Sequence, residues 1–173
     1  MASDDILDMA CRLGTALVLG GVLGLERERK NRPAGFRTMI LISLGSAGYM
    51  IAAQEIIRMS VPALTPATSA AELSRVLQGL IGGVGFLGAG AVLQSKKTVR
   101  GLTTAAAVWV TACVGAAAGF GLYQLAILVS TLTLFTLVVL GWFEDKYFPE
   151  PTGDNATKRT NGAAPTSGVE DQE

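Results

Sequence analysis

The sequence holds no histidine and only two cysteines, Cys11 and Cys113. The first absence excludes a histidine-based catalytic triad, a histidine zinc site and an imidazole proton shuttle. The second leaves neither a C-x-x-C pair nor a disulfide framework; each cysteine sits in an apolar run and reads as a small buried hydrophobe. Charge is scarce as well, at 16% of residues against about a quarter in a soluble domain. The formal net charge is zero, which offers nothing to a nucleic-acid backbone. No nucleophile stands beside a base and no acidic or sulfur cluster has ligand spacing, so neither an enzyme nor a bound metal or cofactor is expected.

What the sequence does have is apolar length. Half of the residues are hydrophobic, mean hydropathy is positive and 21 are glycine. A bilayer core needs about 20 mostly apolar helical residues. The stretch from Gly101 to Phe143 carries no charged side chain. As one helix it would reach roughly 65 Å, about twice the hydrocarbon thickness, so it must fold back, with Gly119-Phe120-Gly121 as the turn. Together with the other uncharged runs this predicts an all-α polytopic membrane protein of about five transmembrane helices: Ile6 to Leu25, Thr38 to Ile57, Val76 to Gln94, Leu102 to Phe120 and Leu122 to Phe143. The first span has to include Asp8 and Arg12, which lie four apart on one helix face and can neutralise each other near the membrane edge.

Basic residues orient such a bundle. Arg27, Arg29, Lys30, Arg32 and Arg37 follow the first span, and Lys96, Lys97 and Arg100 follow the third, so both segments are expected inside. Asp4, Asp5 and the Gly119–Gly121 turn are expected outside, which gives N-out, C-in. The acidic leading residues and the lack of an A-x-A site argue against a signal peptide, and "LDMAC" is a poor lipoprotein box. Residues 1–148 form the expected transmembrane domain. From 149 to 173 the composition turns to Pro, Gly, Thr, Asn and mixed charge, the signature of a disordered cytoplasmic tail.

Gly83-Val84-Gly85-Phe86-Leu87-Gly88 matches the G-x-G-x-x-G phosphate-binding fingerprint letter for letter. The context is wrong for a nucleotide, because the glycines lie inside a membrane-length run and no acidic residue follows about 20 positions later. Two readings remain. Small residues four apart, at Gly20 and Gly24, at Gly79 and Gly83, and along Ala107, Thr111, Gly115 and Gly119, let helices approach closely in lipid, which would make the third span central and touched on two faces. Alternatively, the third span is a broken helix whose backbone carbonyls bind a cation.

No charge lies near the middle of any span, which weakens a transporter reading. The charges gather at span ends. Glu26, Arg27, Arg37, Thr38 and Arg100 would share one membrane face, as an ion-pair network, an anion-binding rim or ordinary anchors of helix ends. Arg75 and Gln78 sit one turn apart at the start of the third span, where they would cap a neighbouring helix, line a vestibule or simply snorkel.

Four stretches, "GGVLGLERE" (Gly20 to Glu28), "PAGFRT" (Pro33 to Thr38), "RVLQGLIGGVGFLGAGAVL" (Arg75 to Leu93) and "VRGLTTAAAVW" (Val99 to Trp109), resemble in order and spacing the MgtC/SapB family of bacterial inner-membrane proteins. The resemblance covers about Arg12 to Gly119. It implies a multi-span helical domain in the bacterial cytoplasmic membrane and a role in magnesium or ion homeostasis and adaptation to low magnesium, linked in pathogens to survival in macrophages. It also implies action as a regulator of another membrane complex such as the proton-translocating ATP synthase, with a magnesium or other cation transporter as the alternative. The expected partners are the lipid bilayer and a membrane protein or a second copy of the chain, with no nucleotide and no nucleic acid. Carried over by motif, the candidate functional residues are Glu26, Arg27, Arg37, Thr38, Arg75, Gln78, Gly85, Gly88, Gly90, Arg100, Gly101 and Thr104.

Three departures qualify the resemblance. The family commonly has His after "RT", where this chain has Met39, and Asn after "VRGL", where it has Thr103. Longer members carry a soluble cytoplasmic domain after the last span. Here only the short tail follows, so regulation through such a domain is not expected.

Overall fold

The computed structural model describes residues 3–60, 66–95 and 98–147. The proposed tail beyond Tyr147 lies outside these. Helix α1 (Ser3–Arg29), α2 (Phe36–Ser60) and α3 (Pro66–Gly90) are followed by strands β1 (Leu93–Ser95) and β2 (Thr98–Arg100), then α4 (Leu102–Gly119), α5 (Tyr123–Phe135), a π-helical turn (Thr136–Leu140) and α6 (Gly141–Tyr147). The architecture is that of an all-α polytopic membrane protein. Among the described residues, its one β element is a two-stranded antiparallel ribbon that pairs Leu93 with Arg100 and Ser95 with Thr98.

Among the described residues, four helical stretches are long and apolar enough to cross a membrane: Asp4–Arg29, Phe36–Met59, Leu102–Gly119 and Tyr123–Phe143. They coincide with four of the five expected spans. Helix α3 is of comparable length but begins at Pro66, with Glu72, Arg75 and Gln78 in its first half, and stands outside that set. It is continuous to Gly90, so the broken-helix reading does not hold. It also stops short of Gln94, because the chain turns there into the β-ribbon. The turn expected at Gly119-Phe120-Gly121 is present, with Gly121 at φ 80°.

The central helix is α4, not α3. Most of α4 is buried, including Thr111, Val114, Gly115 and Gly119, and it packs on α1, α2, α3 and α5. Small residues make this possible. A Cβ at Gly115 would collide with the Ser43 carbonyl of α2, and one at Gly119 would lie 2.5 Å from the Ala47 carbonyl. On α1, a Cβ at Gly24 would come within 2.8 Å of the Phe36 backbone, and one at Gly20 within 2.7 Å of Ser43 Cβ. Gly79 and Gly83, which carry the same spacing, do not pack: a Cβ at Gly79, Gly82, Gly83, Gly85 or Gly90 meets nothing within 4 Å among the described residues. Cys11 and Cys113 are likewise exposed rather than buried, and Cys113 lines an apolar groove beside α3.

Polar side chains inside the spans are satisfied locally, as hydrocarbon surroundings demand. Thr15, Ser46, Thr111 and Thr133 each donate to the carbonyl four residues back, at 2.7–2.8 Å. Ser43 instead reaches across to the Ala16 carbonyl of α1, at 2.8 Å. Met39, the departure from the family's His, is fully buried beside the Thr111 hydroxyl, which lies 3.3 Å from its sulfur. At the end of the described residues, Lys146 sits 4.9 Å above the Trp142 ring and Phe143 stacks on Tyr147, a cation and aromatic group of the kind that marks a membrane–water interface.

Gly115→Ala and Gly119→Ala are each expected to cost about 1–3 kcal/mol through overpacking. Gly85→Ala, on the open face of α3, is expected to cost nothing. The midpoint of thermal denaturation of the purified proteins in detergent separates the two classes, and equal midpoints would remove the close α2–α4 approach as the organising contact.

Candidate functional site

At one end of the bundle the last turn of α1 meets the first turn of α4. Arg27 is 2% exposed, and its Nη2 donates to Thr104 Oγ1 at 2.6 Å. Its Nε has no hydrogen-bond partner among the described residues. Burial of a guanidinium is costly unless it is paired, so the contact is a specific one and not an anchor reaching for water. Glu26, whose charge acts on Arg27, has its Oε1 3.3 Å from Lys30 Nζ and its buried Oε2 unpartnered among the described residues. Lys30 also donates to the Leu137 carbonyl in the π-helical turn, at 2.9 Å. In that turn the Gly141 N–H bonds the Val138 carbonyl.

The loop that follows is held by its own chemistry. Asn31 and Ala34 adopt left-handed backbone, at φ 50° and 56°, and the Phe36 N–H at the start of α2 donates to Glu28 Oε2 at 3.0 Å. A carboxylate suits a helix N-terminus, and here it closes the α1–α2 connection. Arg37 is exposed, and Thr38 lines a groove between α2 and α3. Arg100 ends the β-ribbon exposed, and Gly101 caps α4 with φ 93°, where a Cβ would collide with the Ala91 carbonyl. Of the α3 glycines, Gly88 alone is buried, with its missing Cβ 3.7 Å from the Ala105 carbonyl; Gly85 and Gly90 are open.

The opposite end carries a second polar group. Arg12 pairs with Asp8 at 2.7 Å, as the i,i+4 spacing implied, and its Nη1 also donates to Gln54 Oε1 and to the Gly119 carbonyl, both at 3.0 Å. Arg58 joins Asp5 at 3.3 Å and Glu55 at 3.7 Å. Asp5, Asp8, Arg12, Gln54, Glu55 and Arg58 line a small polar cavity of about 250 Å³. Arg75 and Gln78 are not part of it. Both are exposed, and Arg75 pairs with Glu72 of its own helix at 3.2 Å, capping no neighbour.

Between α2 and α3 runs an open, mainly apolar groove of about 790 Å³, with Thr38, Gly45, Ser46, Gly79 and Gly83 on its walls. A smaller apolar groove of about 280 Å³ lies on the other side of α3, against Trp109 and Phe120. Helix α3 is thus held by narrow contacts and flanked by unfilled space on both sides.

Of the sequence candidates, the structure joins Arg27 with Thr104 directly and places Glu26, Arg100 and Gly101 around them. It leaves Arg37, Arg75, Gln78, Gly85 and Gly90 on the surface, with Gly88 at the α3–α4 contact. Lys30, Glu28, Gln54 and the carbonyls of Leu137 and Gly119 join these networks without a sequence motif to announce them. Arg12 did give a signal, because a charge inside an apolar span needs partners.

In a double-mutant cycle, Arg27→Gln and Thr104→Val are expected to be coupled by about 1 kcal/mol, the scale of an interhelical hydrogen bond in a membrane bundle. Unfolding in mixed micelles measures it. Additive effects would mean that the 2.6 Å contact adds no stability of its own.

Comparison with known proteins places this geometry in a lineage. No solved structure matches the chain. Protein SrpB of Synechococcus elongatus is 43% identical over 143 residues, which cover 77% of this chain and 75% of SrpB. The putative magnesium transporter YhiD of Escherichia coli is 39% identical over 132 residues, 74% of this chain and 58% of YhiD. Protein MgtC of Brucella abortus is 36% identical over 130 residues, 75% of this chain but only 48% of that protein. The chain therefore spans about half to three quarters of the length of these relatives. With a match to the MgtC family over residues 13–146 added to these identities, the chain belongs to the MgtC family.

Proposed function

We propose that this protein works in the bacterial cytoplasmic membrane, N-out and C-in, as a magnesium-linked regulator that acts by docking a transmembrane helix of a larger membrane complex. The observation that carries the reading is the open α2–α3 groove. Its walls bring Gly45, Gly79 and Gly83 to a lipid-facing surface with no side chain filling the space among the described residues. In lipid, helices associate through close approach at small residues, and a groove of this kind is the surface such an approach needs.

The charge pattern supports a regulator over a carrier. Residues 13–25, 38–54, 76–95 and 101–143 contain no Asp, Glu, Lys or Arg. A path for a divalent cation needs oxygen donors in the membrane interior, several of them anionic or backbone carbonyls freed from helix bonds. The two charged groups stand instead at opposite ends of the bundle, where they tie helices together. The link to magnesium is drawn from a relative named as a putative magnesium transporter, and the basic residues of the α1–α2 connection support the orientation.

Two measurements test the reading together. Magnesium flux into proteoliposomes is expected to equal that of empty liposomes, and growth of a deletion strain at low magnesium is expected to be restored by the native protein but not by Gly83→Phe, whose stability in detergent is unchanged. Saturable flux that Arg100→Ala loses would establish a carrier instead.

A further inference from the structure

Helix α3 packs chiefly against α2 and α4, so it stands at the edge of the bundle with one side turned outward. Its inner side carries Val84, which is buried in a cluster with Ala107, Val108 and Ala112, and Gly88, which lies against Ala105. On the outer side Ala71, Arg75, Gln78, Gly82, Gly85 and Ala89 recur at alternating spacings of four and three, the seam pattern of two helices packed side by side. At about 100° per residue they fall within an arc of about 80°. All six are exposed.

This side does not have the composition of a surface that meets lipid. Where α1 and α5 turn outward they present large apolar chains, such as Val18, Leu128, Leu132 and Phe135 at 57–59% exposure. The exposed hydroxyls of Thr15, Thr131 and Thr136 each donate to the carbonyl four residues back in their own helix. The outer side of α3 instead presents two glycines, Gly82 and Gly85, whose missing Cβ atoms meet nothing within 4 Å. Between them and the Arg75–Glu72 pair stands Gln78, exposed and without a hydrogen-bond partner among the described residues. Gln78 falls inside the uncharged run of residues 76–95, and an amide left unpaired in hydrocarbon is costly. The polar and small residues of this side are also why α3 stands outside the set of helices apolar enough to cross a membrane. Both features suit a side covered by protein.

A second copy of the chain meets the requirement. Two copies inserted with the same orientation lie parallel about a two-fold axis along the membrane normal, so each seam residue meets its own counterpart at the same depth. Gln78 then faces Gln78, and an amide, being donor and acceptor at once, is complementary to itself. Gly82 and Gly85 face their counterparts one and two turns deeper, where the lack of side chains admits close backbone approach. Arg75 does not oppose the pairing, because Glu72 neutralises it within the same helix at 3.2 Å. A helix of another sequence would have to place an amide and small residues at these same depths.

We propose that the outer side of α3 is a two-fold interface between copies of this chain, tied by hydrogen bonding between the two Gln78 amides and closely packed at Gly82 and Gly85. The α2–α3 groove lies on another side of the helix, so the inference does not rest on that groove docking a partner.

The test is disulfide cross-linking of the full-length protein in native membranes, oxidised with copper phenanthroline. With Cys11 and Cys113 replaced by Ser, Gly85→Cys is expected to give a covalent dimer, whereas Phe135→Cys on the outward side of α5 is expected to stay monomeric. Added to Gly85→Cys, Gln78→Leu is expected to slow cross-linking about tenfold and Gly82→Phe to abolish it, while Gly83→Phe in the groove leaves it unchanged. Gln78 and Gly82 are exposed, so the fold of the single chain does not depend on them. Because Gly83→Phe separates the groove from the interface, the two readings fail independently. No cross-linked dimer at Gly85→Cys, equal cross-linking at Phe135→Cys, a product formed only with a different protein, or a dimer that withstands both Gln78→Leu and Gly82→Phe would overturn the proposal.

Discussion

The bundle depends on the approach of α4 to α2 at Gly115 and Gly119, where backbone meets backbone with no side chain between. In water, burial of apolar surface would hold these helices together almost whatever their shape. In a bilayer the lipid tails are as apolar as leucine, and attraction comes from dispersion at close range and from polar contacts. The small face of α4 is thus what allows α1, α2 and α5 to gather around one helix, and it explains why the most buried element is also among the poorest in large side chains.

Onto that frame α1 adds two arginine ties of opposite character. Arg12 reaches the carbonyl end of α4 at Gly119, where a cation suits the helix dipole and where Asp8 neutralises the charge within the same helix. Arg27 reaches the amino end of α4, where the dipole opposes it and the neighbouring Glu26 carboxylate offsets it. One helix thus fastens both ends of another, once with the field and once against it.

Much of this was legible in the sequence. The lack of charge between Gly101 and Phe143 required a turn, and glycines at 119 and 121 located it. The small-residue spacing on α1 and α4 described real contacts. The identical spacing on α3 did not, because a repeat tells which side of a helix is small and not which neighbour comes to it; Gly79 and Gly83 look into a groove. Their place in apolar runs misplaced the cysteines, since the outer surface of a membrane bundle is as apolar as its interior. The Arg27–Thr104 contact joins residues 77 positions apart and the Lys30–Leu137 contact joins residues 107 apart, and no local pattern encodes such pairs. The early end of α3 at Gly90 depends on the β-ribbon, a few residues whose strand character emerges only when they pair.

The π-helical turn at Thr136–Leu140 sets an angle as well as a hydrogen bond. One residue beyond the regular helical count advances everything after it by about 100° around the axis. The direction in which Trp142, Phe143 and Lys146 project is therefore a matter of phase, and Lys30, by holding the Leu137 carbonyl, keeps that phase from relaxing. The bearing of α6 is thereby tied to a lysine in the first connection, 107 residues before the carbonyl it holds.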